Sequence, residues 1–195
     1  MILSDGTIRK LLATGDIILE PIGADQIQPA SVDVRLASQI RVLRNHTAAC
    51  IDPFTSQPDL TEIIDVAEGD PFVLHPGEFV LGSTVETIGL PSDLVARVDG
   101  KSSLGRWGVM IHATAGFIDA GFHGQITLEL SNVATLPVRL WPGMKIGQIS
   151  FVRLDQAVER PYGHPELGSK YQGQTGPVAS QYRLNARTDT PVSGG

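Results

Sequence analysis

Beyond residue 16 the chain reads as one short β-strand after another, punctuated by Gly and Pro, with no helical period between them. That pattern constrains the fold most. "SVDVRLASQIRVL" alternates at Val32, Val34 and Leu36 and resumes at Ile40 and Val42. "PFVLHPGEFVLGSTVETIGLP" is two apolar runs joined by Pro76-Gly77, and "LVARVDG", "GVMIHATAGFI", "GQITLELSNV" and "LPVRLWPGMKIGQISFVRL" continue the series. Pro76-Gly77 and Pro142-Gly143 each introduce an apolar strand expected to end at a glycine, Gly82 or Gly147. Strands without interleaved helices call for a sandwich, jelly roll or small barrel. The exception is "LSDGTIRKLLATGDI", a short helix capped by Ser4 or Asp5, with Ile8, Leu11 and Leu12 on one face and Gly15 as its stop.

A chain of 195 residues with 42% hydrophobic residues fits one domain that buries its own core. From about residue 163 the sequence turns polar and Gly-rich, which reads as a terminal tail. Within it Lys170, Tyr171 and Gln174 place a cation, an aromatic and an amide where a segment closing over a ligand would use them.

Composition also removes whole classes of function. A net charge of −6 disfavours broad nucleic-acid binding, which displaces counterions with a basic surface. Cys50 is the sole cysteine, so neither an intramolecular disulfide nor a cysteine zinc site can form, and a reducing compartment is expected. No apolar run approaches membrane-spanning length and the N-terminus lacks a signal-peptide core, so the expected location is the cytoplasm, with no membrane partner. The histidines His46, His75, His112, His123 and His164 show no metal-binding spacing.

"GKSSLGRWG", residues 100 to 108, lies between two strand-like stretches. It is not a Walker A loop, because Val95 stands where the first glycine belongs and no long helix pattern follows. Nor is it a nucleophile elbow, since Leu104 follows Ser103 where glycine is required. Two readings stay open: a polar turn with a surface arginine, or serine hydroxyls, backbone N–H groups and the Arg106 guanidinium gathered around an oligophosphate. Trp107 reads as core.

Two acids follow. Asp119 sits in a turn between Gly116 and Gly121, where an Asp commonly bonds its own backbone. In "QITLELSN", Ile126, Leu128 and Leu130 face one way and Thr127, Glu129 and Ser131 the other. Glu129 is therefore either on a solvated outer face or a carboxylate fixed on a rigid strand as a general base. In the second case Arg106 and Glu129 would oppose each other across one pocket.

"QPASVDVRL", "GKSSLGR", "TAGFIDAGF", "TLELSN", "LWPGMKIGQ" and "SKYQGQ", in this order, resemble the dCTP deaminases, relatives of the trimeric dUTPases. The resemblance spans residues 1 to 180 and leaves 181 to 195 as a flexible C-terminal tail. It implies a mainly β, dUTPase-like distorted jelly-roll barrel. It implies that Glu129 activates water for attack on cytosine C4, and that Ser102 and Arg106 position water, base and phosphates in a loop with Lys101, Ser103, Leu104 and Gly105. Asp119 would meet the deoxyribose. Thr127, Leu128, Gln148, Tyr162, Lys170 and Gln174 would be further nucleotide contacts. Magnesium would arrive on the substrate triphosphate, with no metal-ligand side chains and no zinc. The resemblance also implies a homotrimer with sites between subunits and feedback by dTTP.

Gly116-Phe117 resembles the bifunctional members, which carry dCTP through dUTP to dUMP and diphosphate, where deaminases that stop at dUTP carry a larger polar pair. The glycine would leave room beside Asp119 for a second water near the α-phosphate, while Phe117 would otherwise fill core. A deaminase releasing dUTP, a plain dUTPase and a silent nucleotide-binding sensor remain the alternatives.

Overall fold

The computed structural model describes residues 1–44, 48–112 and 114–185. His46 and the end of the expected tail, 186–195, lie outside the described residues. No helix among the described residues is long and apolar enough to cross a membrane.

Helix α1 (Asp5–Thr14) begins after Ser4 and ends at Gly15, whose φ of 77° is the left-handed stop that glycine takes without strain. Ile8 is fully buried, with Leu11 and Leu12 packed against the core behind it. Twelve strands make up the rest of the framework: β1 (Ile18–Glu20), β2 (Val32–Arg35), β3 (Gln39–Leu43), β4 (Thr61–Asp65), β5 (Phe72–Leu74), β6 (Phe79–Gly89), β7 (Leu94–Gly100), β8 (Val109–Ile111), β9 (Phe117–Ile118), β10 (His123–Asn132), β11 (Val138–Leu140) and β12 (Lys145–Arg153). One helical turn, α2 (Ser102–Gly105), interrupts them.

The strands form two main sheets. One runs β4-β3-β6-β10-β8, with β1 also paired to β6, and the other runs β2-β12-β7-β9. β11 and β5 make a separate antiparallel pair. Alternation buries Ile40, Val80, Leu128 and Leu130 from the first sheet and Val34, Ala96, Val98, Ile149 and Phe151 from the second in one apolar core. The layers are those of a jelly roll.

The alternation that pauses after Leu36 resumes in another layer: β2 belongs to the four-stranded sheet and β3 to the other, so the chain changes layer between Leu36 and Ser38. Two local expectations are corrected. The strands after the Pro-Gly turns do not stop at Gly82 and Gly147. β6 runs through Gly82, where a Cβ would come within 2.8 Å of the Leu36 side chain, and β12 runs through Gly147, where a Cβ would lie 3.0 Å from the Asp99 carbonyl oxygen. These glycines fill close-packed positions inside strands rather than terminating them. Finally, "GKSSLGR" is a turn of helix rather than a β-turn, held because Leu104 is buried while Ser102, Ser103, Gly105 and Arg106 face solvent.

Candidate active site

β10 supplies the rigid element. Its buried residues alternate with Gln125, Thr127, Glu129 and Ser131 on the other face, as its period-2 pattern requires. Glu129 is half-buried beside Leu81 of β6, and Thr114 Oγ1 donates to its Oε2 at 2.7 Å. The backbone N–H of His112 donates to the Glu129 carbonyl at 2.8 Å. His112 is the non-glycine with positive φ among the described residues, at 59°. That left-handed kink ends β8 and turns the chain toward Thr114.

The free edge of β10 is shared. β8 pairs only with Leu130 to Asn132, His112 takes residue 129, and residues 173 to 178 of the chain's last segment take 123 to 127. The Gly173 N–H donates to the His123 carbonyl at 2.7 Å, and the Gln125 N–H to the Gln174 carbonyl at 3.0 Å. This C-terminal segment is thus bonded to the sheet as far as Val178, which corrects the reading of the stretch from residue 163 to there as a frayed tail. Leu128 and Leu104 put their side chains into the core, leaving only backbone for a ligand.

Asp119, Tyr162 and Lys170 do meet. They line one cleft of about 540 Å³ with Phe117, Arg160 and Tyr171. Tyr162 stacks obliquely on Phe122, its N–H donates to the Ala120 carbonyl at 2.8 Å, and its hydroxyl accepts from the Tyr171 N–H at 3.1 Å. Phe117 is 55% exposed at the cleft wall, so it does not fill core. Gly116 passes so close to β7 that a Cβ there would lie 2.6 Å from the Val98 carbonyl oxygen. Asp119 itself sits in a turn, its carbonyl accepting from the Phe122 N–H at 3.2 Å.

The α2 turn packs against β8, the strand paired to β10 just past Glu129. Arg106 is exposed and, within the chain, makes no ion pair with Glu129 among the described residues. Trp107 is 67% exposed rather than core, because the turn is anchored by Leu104 and carries Trp107 outward. Lys101 at the root of the turn is not free: its Nζ lies 2.6 Å from Asp33 Oδ1. Asp33 is 2% exposed and also faces Lys145 at 3.6 Å. Lys145 bonds Asp25 at 2.8 Å, and this contact above all holds the Asp25 carboxyl below, and the Lys145 ammonium above, its ordinary range. Gln148 of β12 is opposite Asp33 on β2 and Asp99 on β7, in one row across the sheet.

Sequence reading missed Asp33, Thr114 and Gln125. Asp33 lies inside "SVDVRL" and looked like an outward residue of an alternating strand. Thr114 is legible only once the His112 kink folds it back over β10.

Comparison with known proteins decides what this arrangement belongs to. The family model described as "dCTP deaminase-like" matches residues 2–154. The chain belongs to that family.

Curated relatives of the dCTP deaminase-like family are close over nearly the full length. The "dCTP deaminase, dUMP-forming" of Leifsonia xyli subsp. xyli is 58% identical over all of this chain and 96% of its own length. That of Beutenbergia cavernae is 59% identical over 93% of this chain and 94% of its own. Among solved structures, 2'-deoxycytidine 5'-triphosphate deaminase from Agrobacterium tumefaciens aligns with a TM-score of 0.62 and 30% identity. The alignment covers 82% of this chain and 50% of that one, so this chain spans half the length of that solved relative. The fold is the mainly β, dUTPase-like jelly roll of the family.

Proposed function

We propose that the protein deaminates dCTP and hydrolyses the resulting dUTP to dUMP and diphosphate. The observation that carries this reading is near-full-length identity of 55–59% to relatives named "dCTP deaminase, dUMP-forming". The local geometry supplies the chemistry. Glu129, fixed on β10 and oriented by Thr114, takes a proton from the water that attacks cytosine C4. It then passes that proton toward departing ammonia. Arg106, Ser102 and Ser103 form an exposed donor set for phosphate, and Asp119, Tyr162 and Lys170 share the cleft where the deoxynucleoside binds. Thr127, Gln148 and Gln174 complete the contacts.

The working form is a homotrimer with sites between subunits. What supports this is that Arg106 and Trp107 both face outward, with no ion pair between Arg106 and Glu129 within one chain among the described residues. Magnesium rides on the triphosphate. Asp33, bonded to Lys101 at the root of the phosphate loop, is already engaged by Lys101 and Lys145 and so is not free as a ligand for the ion. On the triphosphate it would neutralise phosphate charge. dTTP, sharing the triphosphate and deoxyribose, binds the same site as a feedback inhibitor, and the protein works in the cytoplasm.

Incubation with dCTP and magnesium tests the reading: ammonia and diphosphate should appear together, with dUMP. Accumulating dUTP would overturn the second step, and absence of ammonia would overturn the first.

A further inference from the structure

We propose that Gln125 is the positioning residue of the closing segment: it holds residues 173 to 178 on β10 and through them aims Gln174 into the site. This rests on the reading of Gln174 as a nucleotide contact.

The segment occupies the stretch of β10 edge that β8 leaves unpaired, and runs in the same direction as β10. Gln125 contacts it from backbone and side chain together. Its N–H donates to the Gln174 carbonyl, its own carbonyl accepts from Gln174 Nε2 at 2.7 Å, and its Oε1 accepts from the Gly176 N–H at 2.6 Å. Its Nε2 donates to the Val85 carbonyl at 3.2 Å, which fixes the amide the right way round. One residue before it, Gly124 has no side chain where a Cβ would lie 2.9 Å from the Gln174 carbonyl oxygen and 3.0 Å from its nitrogen. The edge is shaped for this segment.

The consequence for Gln174 follows from donor and acceptor chemistry. A backbone carbonyl only accepts, so the Gln174 nitrogen must face Gln125, and its Oε1 must face the other way. That oxygen is buried without a hydrogen-bond partner. A buried, unpaired amide oxygen is costly unless a ligand supplies the donor. Arg41 of β3 closes the far end of the segment, donating through Nε to the Pro177 carbonyl at 2.7 Å, and the Val178 N–H reaches Thr127 Oγ1 at 3.3 Å. Glu129 lies two residues beyond Thr127 on the same face, so the segment borders the general base.

Amide hydrogen exchange and a double-variant cycle in the full chain test this. Gln125→Ala should speed exchange across 173 to 178 without speeding it in β7 or β12, and lower kcat/KM for dCTP about five- to ten-fold, the scale of one or two lost hydrogen bonds. Gln174→Ala should do the same to kcat/KM, and combining the two should cost no more than about two-fold further, because the Gln125 side chain acts only by holding the segment that presents Gln174. Arg41→Met, which leaves β10 untouched, should speed the same exchange and guards against a misfolded Gln125 variant. Multiplying losses, or unchanged exchange at 173 to 178, would overturn the proposal. Wild-type protein that releases no ammonia from dCTP would overturn the functional reading instead, while the exchange measurement, made without substrate, still judges Gln125.

Discussion

Thr114 Oγ1 donates a 2.7 Å hydrogen bond to Glu129 Oε2, which among the described residues is the one side-chain bond that orients the carboxylate proposed as general base. Glu129→Gln keeps the shape and removes the base. Deamination should fall by about 100-fold or more, the scale of general-base catalysis, while nucleotide still binds. Ammonia release and equilibrium binding of dCTP check the two halves separately; near-normal turnover would place the base elsewhere.

Thr114→Val deletes the orienting bond and leaves the carboxylate. A hydrogen bond to a charged group contributes roughly 1.5–3 kcal/mol, so turnover should drop by about 10- to 100-fold. KM for dCTP should change much less, because the bond orients the base rather than gripping the nucleotide. Steady-state kinetics with dCTP separates the two, and an equal change in both would make Thr114 a substrate contact.

Asp33 joins β2 to the root of the α2 turn through Lys101 and to β12 through Lys145. Asp33→Asn leaves two ammonium groups without their shared anion. Both lysines keep some contact with water, so the cost should stay below that of a fully buried pair, on the order of 1–3 kcal/mol. Chemical denaturation measures it. A difference under about 0.5 kcal/mol, the level of an ordinary surface change, would show that the cluster carries no structural weight.

Period-2 alternation made the strands and the core legible, and it placed Glu129 on the open face of β10 before any coordinates. Cap chemistry did the same for α1 at Gly15. What alternation could not show is which sheet a strand joins: the pattern pauses after Leu36 and resumes at Ile40, but nothing in it says that Leu36 to Ser38 carries the chain between layers. Trp107 was misplaced for a related reason. Aromatic residues are core by default, but here the buried neighbour Leu104 takes the inward position and turns the ring out. The Gln125–Gln174 and Lys101–Asp33 contacts join residues far apart in sequence, and no local pattern announces such pairs.

The Lys145–Asp25 pair predicts a pH response with a definite sign. Asp25 is held below its ordinary value of 3.8, so its contribution is present above that pH and lost as pH falls through the lowered value. Lys145 is held above 10.5, so its contribution is complete below that pH and lost as pH rises through the raised value. The stability difference between the wild type and Lys145→Met should therefore be flat from about pH 5 to 9 and shrink in strong acid. Denaturation midpoints across that range check it; a slope near neutrality would require another titrating group.

Gly116 is a tight passage beside the cleft. Its carbonyl accepts from the Val98 N–H at 2.8 Å, and a Cβ on it would lie 2.6 Å from the Val98 carbonyl oxygen. That obstacle is backbone of β7 and cannot rotate away, so Gly116→Ala must push the 116 to 119 turn outward. Overpacking of this kind costs about 1–3 kcal/mol, and the displacement is carried along β9 to Asp119 three residues on. If Gly116 leaves room beside Asp119 for the second water, the variant should still release ammonia from dCTP but leave a larger share of product as dUTP. Chromatography of the nucleotide products gives the ratio directly. An unchanged dUMP share in a folded, destabilised variant would confine Gly116 to packing against β7 and move the control of the second hydrolysis elsewhere in the cleft.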